Sequence, residues 1–262
     1  MKIAIHGAAG RMGRRLVALG TENEQFEVVA ALESADSPFA GQDAGELAGV
    51  GNIGVPVGAD LPNGVDVVID FSVPEAAVAI AEKCADHGAA LLSATTGLDE
   101  QQQARLNAVA ERVAVLQAPS TSLAVNLVMK LSQIAGAALA DHVSGADVEI
   151  IERHHRFKED APSGTALKFG ELIADVMHQS KQQHGREGRP GARPHDEIGY
   201  HAVRVGDNPG EHTIIFGLLG ETIELRVAAT SRDAYAHGAL AAAQFLRGKS
   251  AGRYQMNDVL GL

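Results

Sequence analysis

Residues 2–13 read K-I-A-I-H-G-A-A-G-R-M-G, a short apolar run followed by glycines at positions 7, 10 and 13. The run predicts a strand over residues 2–6, and a helical pattern follows from about Arg11 to Gly20. Glycines let backbone N–H groups approach a pyrophosphate closely, and a helix start adds free N–H donors and a positive dipole end. The stretch therefore predicts a dinucleotide-binding turn, although glycine-rich turns between strand and helix also occur in other α/β folds.

An acidic residue follows the second predicted strand. That strand covers residues 26–32, and Glu33 stands twenty residues after Gly13. At this place an acidic side chain accepts hydrogen bonds from the adenine ribose hydroxyls; the alternative is a solvated charge at a strand end. Among the nearby cations, Arg11 begins the helix and could reach the ribose, whereas Arg14 and Arg15 are interpreted as solvated helix residues.

Strands and helices continue to alternate up to about residue 122. The pattern predicts strands at 65–71, 90–94 and 113–117 and helices at 74–87 and 99–112, which indicates a parallel, Rossmann-like sheet. Two strands run into small and hydroxyl-bearing residues, A-T-T-G at 94–97 and A-P-S-T at 118–121. Ligands of open α/β sheets bind at the carboxyl ends of strands, so these segments suit the nicotinamide half of a cofactor. Simple turn chemistry is the alternative for each.

The pattern changes after about Ser122. A helix is predicted at 125–140, followed by alternating-polarity strands at 147–154, 197–205, 211–218 and 221–229 and a closing helix at 234–246. Residues 180–196, rich in Gln, Gly, Arg, Pro and His, are predicted to be a mobile loop. The second domain is thus expected to be α+β, with a mixed or antiparallel sheet.

A basic cluster ends the first strand of this second domain. Residues 152–158 read E-R-H-H-R-F-K, and D-A-P-S-G-T at 160–165 opens a helix. A local positive cluster in an acidic protein suits a small dicarboxylate, and the helix start at Ser163, Gly164 and Thr165 offers hydroxyl and N–H donors. Histidine exchanges protons near neutrality. The alternatives are that Ser163 is only a helix cap and Lys158 an ordinary solvated lysine.

Composition limits the remaining function classes. A net charge of −11 disfavours nucleic acid, and the single cysteine, Cys84, excludes an intramolecular disulfide. We expect no metal site, because neighbouring strand residues such as His154 and His155 point to opposite faces and no third ligand stands at a recognisable spacing. No secretory pattern opens the chain, and no apolar run approaches the roughly 20 residues of a membrane helix, so a cytoplasmic protein without a membrane partner is expected.

Together these motifs resemble the 4-hydroxy-tetrahydrodipicolinate reductase family of the diaminopimelate route to lysine. Matching stretches span nearly the whole chain in the family's order: G-A-A-G-R-M-G at 7–13, A-A-L-E at 30–33, D-F-S-V-P-E at 70–75, T-T-G at 95–97, E-R-H-H-R-F-K-E-D-A-P-S-G-T-A at 152–166, R-V-G-D at 204–207, G-E-H-T at 210–213 and S-R at 231–232. The block at 152–166 is highly specific, whereas the glycine turn is not.

The resemblance implies a role for each motif. It implies that His154 donates or accepts a proton, that Lys158 is a second proton donor, and that His155, Gly164 and Thr165, with Ser163 beside them, hold the substrate carboxylates. It implies NADH or NADPH as cofactor, with these lining residues: Gly7, Ala8, Ala9, Gly10, Arg11, Met12, Glu33, Ala94, Thr95, Thr96, Ala118, Pro119, Ser120 and Thr121. It further implies a homotetramer built through a central domain at 126–231, with residues 1–125 and 232–262 forming a discontinuous nucleotide domain.

Three departures from the family pattern bear on the cofactor. Ala94 replaces the usual glycine, Ser120 and Ala124 stand where Asn and Gly are frequent, and Ser34 follows Glu33 where some members have Arg. We therefore expect both cofactors to work, with NADH equal or preferred. Two rivals are a semialdehyde dehydrogenase, which needs a reactive cysteine in a loop, and a dinucleotide sensor, which would not need the block at 152–166.

Overall fold

The computed structural model describes residues 1–262, which form two compact units. The first unit is discontinuous and comprises Met1–Leu123 and Asp233–Leu262, and the second is Ala124–Arg232. The expected bounds, 1–125 with 232–262 and 126–231, differ from these by one or two residues.

The first unit is built on a parallel sheet of seven strands in the order β12-β6-β5-β4-β1-β2-β3. Its elements are β1 (Lys2–His6), α1 (Arg11–Glu22), β2 (Glu27–Leu32), α2 (Ala44–Ala48), β3 (Val57–Gly58), β4 (Val67–Asp70), α3 (Pro74–His87), β5 (Ala90–Ser93), α4 (Glu100–Val109), β6 (Ala114–Gln117), α7 (Asp233–Leu246), β12 (Gly252–Tyr254) and α8 (Met256–Leu260). Strands β2 and β3 are added on one side of β1, and the later strands, beginning with β4, are added on its other side. The order in which strands are added therefore switches sides at β1. The Rossmann-like prediction is confirmed.

Apolar runs become central strands here because both faces of the sheet are covered. In β1, Ile3 and Ile5 belong to one core cluster and Ala4, which points the other way, belongs to the cluster on the opposite face. Local signals mark where the helices begin and end. Pro74 stands at the start of α3, and Gly88 ends that helix in the left-handed conformation. Asp99 forms a capping box with Gln102 at the start of α4. No helix is both long enough and apolar enough to cross a membrane.

The sequence analysis missed four short elements of this unit, namely α2, β3, β12 and α8. They are two to five residues long, too short to show a hydrophobic period. The Asp43 carboxylate caps α2 by accepting the backbone N–H groups of Gly45 and Glu46, and it ties α2 to the following loop through those of Ile53 and Val55. Strand β3 is held by pairing with β2.

The C-terminal segment returns to the first unit through α7. The Thr121 hydroxyl donates to the carbonyl of Tyr235 at 2.7 Å, and a Cβ on Gly238 would lie 1.8 Å from the carbonyl oxygen of Thr121. Helix α7 therefore packs directly on the backbone that follows β6, which only a glycine at position 238 permits.

The second unit places two helices on one face of a five-stranded mixed sheet, in the order β11-β10-β7-β9-β8. Its elements are α5 (Leu123–Leu139, which begins at the boundary), β7 (Asp147–His154), α6 (Gly164–Met177), β8 (Lys181–His184), β9 (Glu197–Arg204), β10 (Glu211–Leu218) and β11 (Glu221–Ala228). Strand β10 pairs antiparallel with both β7 and β11, whereas β9 pairs parallel with both β7 and β8. The expected loop at 180–196 is wrong over residues 181–184, because the polar segment there pairs with β9 as an edge strand.

Buried and more exposed side chains alternate along β7 and β10, so this sheet has one buried and one open face. Val148, Ile150 and Phe216 pack beneath α6, whereas Ile151 and Val203 on the other face are 38% and 41% exposed.

One contact between α6 and β9 is unusually close. Tyr200 is buried, its hydroxyl has no hydrogen-bond partner in the protein, and a Cβ on Gly170 would lie 1.7 Å from that oxygen and 2.6 Å from the ring carbon Cζ. The glycine in the middle of α6 is thus required by the tyrosine beneath it.

We expect Gly170→Ala to destabilise the protein by about 3 kcal/mol, because overpacking outweighs the gain of about 1 kcal/mol in helix propensity. Gly136→Ala in α5 is the matched control, since its new methyl meets the side chains of Val176 and Met177, which can shift. Tyr200→Phe should leave stability unchanged or raised, as it removes an unpartnered hydroxyl, and should partly rescue Gly170→Ala. Urea unfolding measures all three, and equal costs for the two glycine variants would contradict the packing argument.

Candidate functional site

The glycine turn after β1 fits a pyrophosphate. Gly7 has φ +76°, and Cβ atoms on Gly7 and Gly13 would lie 2.5 Å from the carbonyl oxygen of Phe71 and 2.1 Å from that of Gly7. No side chain caps α1 and its first turn holds no acidic residue. The N–H groups of Arg11, Met12 and Gly13 have no partner in the protein, so the helix start offers three donors to an anion.

Glu33 follows β2 as predicted and also supports the turn. Its Oε1 accepts the N–H of Ala9 at 2.8 Å, which leaves Oε2 for a ligand. The interpretation as a solvated residue is wrong for Arg14, which is half-buried, whereas Arg15 is exposed as interpreted. Arg14 donates Nε to the carbonyl of Ala9 and lies 5.0 Å over the ring of Phe39, and Arg15 forms a two-pronged pair with Asp233.

A buried carboxylate at the end of β4 holds the neighbouring strand ends together. Asp70 accepts hydrogen bonds from His6 Nδ1 and from the hydroxyls of Ser72, Ser93 and Thr95 at 2.5–2.9 Å. Burial raises the pKa of Asp70, but the hydrogen bonds from His6 and Ser72 outweigh it and hold that pKa below its ordinary value. Thr95 is therefore turned into the protein.

The other predicted cofactor residues lie at the same edge of the sheet. Thr96 and Pro119 are exposed, whereas Ala118 is buried and the Thr121 hydroxyl is engaged by the carbonyl of Tyr235. Of the predicted hydroxyl groups, those of Thr95 and Thr121 are thus used within the protein.

The basic cluster of the second unit is arranged around a carboxylate that the sequence analysis left without a role. Glu152 in β7 is 1% exposed. It accepts His154 Nδ1 at 2.5 Å, Arg204 Nη1 and Nη2 at 2.8 and 2.7 Å, and the N–H of Ser163 at 3.0 Å. Burial raises the pKa of Glu152, but the hydrogen bonds from Arg204 and His154 keep it below its ordinary value, so the group is an anion at neutral pH.

This anion fixes the protonation pattern of His154. An ionised carboxylate can only accept, so Nδ1 carries the hydrogen and Nε2 is left to exchange a proton. Burial lowers the pKa of His154, and the hydrogen bond and charge of Glu152 oppose that effect. The ring of His212 lies edge-on at 5.3 Å, and burial together with the charge of His154 lowers the pKa of His212 to about 4, so this neighbour is neutral.

The start of α6 offers further donors. The Ser163 side chain caps the helix by accepting the N–H of Ala166, and its hydroxyl lies 3.1 Å from His212 Nε2. The N–H groups of Gly164 and Thr165 have no partner in the protein, and the space beside Gly164 is open. This is the donor arrangement that binds a carboxylate.

The remaining predicted residues lie in the loop after β7. Lys158 Nζ donates to Asp160 at 2.7 Å, and the buried Nδ1 of His155 has no partner in the protein. Lys158 is therefore paired with Asp160, whereas the sequence analysis considered only a proton donor or a solvated lysine. His155 keeps Nδ1 without a hydrogen-bond partner.

Three residues of this cluster escaped sequence reasoning: Glu152, Arg204 and His212. All three stand in motifs that matched the family pattern, E-R-H-H, R-V-G-D and G-E-H-T. Their spacing along the chain carries no sign that they meet, because β7, β9 and β10 become neighbours only in the sheet.

Cys84 is placed where the sequence predicted, inside a helix and fully buried. Burial raises the pKa of its thiol, so almost no thiolate forms. A semialdehyde dehydrogenase that acts through a reactive cysteine is therefore not supported.

Comparison with known proteins agrees with this arrangement. Two family models, described as dihydrodipicolinate reductase N-terminus and C-terminus, match residues 1–121 and 124–260. The chain belongs to the dihydrodipicolinate reductase family. This membership favours a reductase over a dinucleotide sensor, and with the Rossmann-like fold it indicates a nicotinamide cofactor.

Relatives match over full length. A 4-hydroxy-tetrahydrodipicolinate reductase of Rhodopirellula baltica is 54% identical, covering 100% of this chain and 96% of the relative, and one of Alkalilimnicola ehrlichii is 48% identical, covering 100% and 99%. Among solved structures, a dihydrodipicolinate reductase from Paenisporosarcina sp. TG-14 with dipicolinate bound is 27% identical and has a TM-score of 0.79. The match covers 97% of this chain and 97% of that chain.

Proposed function

We propose that the protein reduces 4-hydroxy-tetrahydrodipicolinate to tetrahydrodipicolinate with NADH or NADPH, in the diaminopimelate route to lysine. The observation that carries this proposal is the second unit's cluster, in which a proton-exchanging imidazole and a helix start with free N–H groups share one carboxylate. The named relatives at up to 54% identity support the choice of substrate.

The second unit supplies donors for two carboxylates. We propose that the N–H groups of Gly164 and Thr165, together with Ser163, hold one of them and that His155 holds the other. The dipicolinate in the Paenisporosarcina enzyme is a dicarboxylate on a six-membered nitrogen ring, like the proposed substrate, which supports this assignment.

The reaction adds a hydride and a proton and releases water. A reduced nicotinamide supplies the hydride when bound. His154 serves as proton donor or acceptor at Nε2, and Lys158 is the second donor, with Asp160 holding its ammonium in place. Hydride addition leaves electron density on the conjugated ring that one of these groups quenches with a proton.

The first unit is assigned to the cofactor. Residues Gly7 to Met12 surround the pyrophosphate in this proposal, Glu33 contacts the adenine ribose, and the segments 94–96 and 118–121 contact the nicotinamide half. The free N–H groups of α1 and the closed glycine turn support the first of these contacts.

Assembly and location complete the proposal. A homotetramer built through the second unit would cover the open sheet face that exposes Ile151 and Val203. A cytoplasmic location fits the need for a reduced nicotinamide pool.

Purified protein tests the proposed function directly. With 4-hydroxy-tetrahydrodipicolinate, oxidation of NADH or NADPH at 340 nm should yield tetrahydrodipicolinate. Aspartate semialdehyde with phosphate and NAD+ or NADP+ should give no cofactor reduction. No turnover with the cyclic imine by folded protein that binds the cofactor would overturn the proposal.

We expect His154→Ala and Lys158→Ala each to lower kcat by about two to four orders of magnitude, the range for losing a general acid or a charge stabiliser. Cofactor affinity, followed by NADH fluorescence, should hardly change because neither residue belongs to the first unit. His87→Ala and Lys168→Ala, which alter exposed residues elsewhere, are the matched controls. Near-full turnover in either folded variant would remove that residue from the proton pathway.

Cofactor choice follows from the charges near the adenine ribose. Glu33 can accept from the 2′-hydroxyl of NADH and repels the 2′-phosphate of NADPH, and Ser34 offers only a neutral donor. Arg14 is held by Ala9 and Phe39 and Arg15 by Asp233, which leaves Arg11 as the exposed cation without an ion pair at the helix start. We propose that both cofactors work, with NADH equal or preferred.

We expect Ser34→Arg to shift the ratio of kcat/KM values toward NADPH by about tenfold or more, because a charge-assisted hydrogen bond is worth roughly 1.5–3 kcal/mol. Ser180→Arg adds the same charge in the second unit and should leave the ratio unchanged. Ionic strength must be fixed, since salt screens the phosphate. A wild-type preference for NADPH above about tenfold, or 1.4 kcal/mol, would show that a cation reaches the phosphate after all.

A further inference from the structure

The Glu152 carboxylate has no acceptor capacity to spare. Oε2 receives His154 Nδ1 and Arg204 Nη1, and Oε1 receives Arg204 Nη2 and the N–H of Ser163. Two hydrogen bonds per oxygen use the roughly four lone-pair positions of an ionised carboxylate. One buried group thus joins the proton-exchanging imidazole, a strand neighbour and the carboxylate-binding helix.

The first consequence concerns the imidazole. Because Nδ1 must donate to Glu152, the ring is fixed in orientation and tautomer, and Nε2 is the atom left for chemistry. Beside Nε2 stands Gly210, where a Cβ would lie only 2.9 Å away. A side chain at position 210 would therefore cover the nitrogen that the tautomer leaves available.

The second consequence concerns the helix start. Glu152 binds the N–H of Ser163, the residue that caps α6, and the next two N–H groups along the chain are those of Gly164 and Thr165. The carboxylate therefore holds in place the turn that presents these donors.

Arg204 has the opposite electrostatic effect from Glu152. It pairs with both oxygens of Glu152 from β9 and also donates Nη2 to the carbonyl of Asp160. A carboxylate alone beside an imidazole favours the protonated ring, and a guanidinium on the same carboxylate reduces that preference.

We propose that Glu152 and Arg204 are positioning residues for the proposed reduction: Glu152 fixes the Nδ1–H form of His154 and the start of α6 at once, and Arg204 limits how strongly Glu152 draws a proton to the imidazole. The inference rests on the proposed function for its catalytic meaning and on the hydrogen bonds for its geometry.

The charged groups around His154 define the expected signs. Glu152 is on its own strand, Arg204 on β9, Lys158 in the following loop with its partner Asp160, and the neutral His212 on β10. Burial lowers the pKa of His154, Glu152 raises it, and the charges of Lys158 and Arg204 lower it. Loss of Glu152 should therefore lower this pKa, and loss of Arg204 should raise it.

The titration of His154 in the full-length chain tests these signs. Ring ¹⁵N signals of histidine-labelled protein are followed against pH in wild type, Glu152→Gln and Arg204→Met, and His154→Gln identifies the signal. We expect the Nδ1–H form in wild type, a lower pKa with mixed tautomers in Glu152→Gln, and a pKa raised by about half a unit or more in Arg204→Met. Arg226→Met, which removes an exposed arginine paired with Glu211 in the same unit, should cause no shift. General damage to the fold would not shift the pKa of His154 in opposite directions in the Glu152 and Arg204 variants.

Dipicolinate binding tests the second role. Calorimetry should give a Kd weakened about tenfold in Glu152→Gln, because the anchor of Ser163 is lost, but less than about threefold in Arg204→Met, where that bond persists; a tenfold change is 1.4 kcal/mol. The turnover of Glu152→Gln should fall about 10- to 100-fold, as for partners that orient metal-bound imidazoles.

Glu152→Asp serves if Glu152→Gln does not fold. It keeps the charge but is one carbon shorter, so we expect weak dipicolinate binding with a smaller change in the His154 pKa. Shifts of the same sign in the Glu152 and Arg204 variants, or unchanged dipicolinate affinity in both Glu152 variants, would overturn the inference. Wild-type protein that binds dipicolinate and holds His154 in the Nδ1–H form, yet reduces no cyclic imine, would overturn the proposed function alone.

Discussion

The burial of the Glu152 charge is the constraint on which the second unit's chemistry depends. An isolated carboxylate in this position would be strongly unfavourable, so each oxygen must be matched by donors. Those donors come from three separate places in the chain: the end of β7, the end of β9 and the residue before α6. Meeting the requirement of one anion therefore brings His154, Arg204 and Ser163 into fixed positions, and the imidazole and helix start that the proposed reaction uses are set by that requirement.

The first unit meets a similar requirement in a different way. Asp70 is as deeply buried as Glu152, but apart from His6 its donors are the hydroxyl groups of Ser72 after β4, Ser93 at the end of β5 and Thr95 after β5. Both units offer backbone N–H groups without partners at a helix start, those of α1 and those of α6. Backbone N–H groups attract a phosphate or carboxylate without adding a mobile cation, which suits a protein whose net charge is −11.

The quality of prediction from sequence varied with the range of the interactions involved. Helix α3 was predicted to its last residue, because Pro74 and Gly88 act through the local backbone, and β7 was predicted through its strict alternation. The strand Lys181–His184 was taken for a loop because its residues are polar and its partner, β9, lies 16 residues further along the chain. Arg14 was taken for a solvated residue because helix periodicity says nothing of Phe39, which reaches it through the fold.

The sequence by itself determined the order of elements, the Rossmann-like class, the glycine turn and the two histidines with Lys158, because each is written in neighbouring residues or in a short hydrophobic period. Only the tertiary structure decided that Glu152, Arg204 and His212 join His154 and that Thr95 turns inward to Asp70. The physical reason is that a buried carboxylate selects its donors by position in space. Strands β7, β9 and β10 supply those positions only once they lie side by side in one sheet.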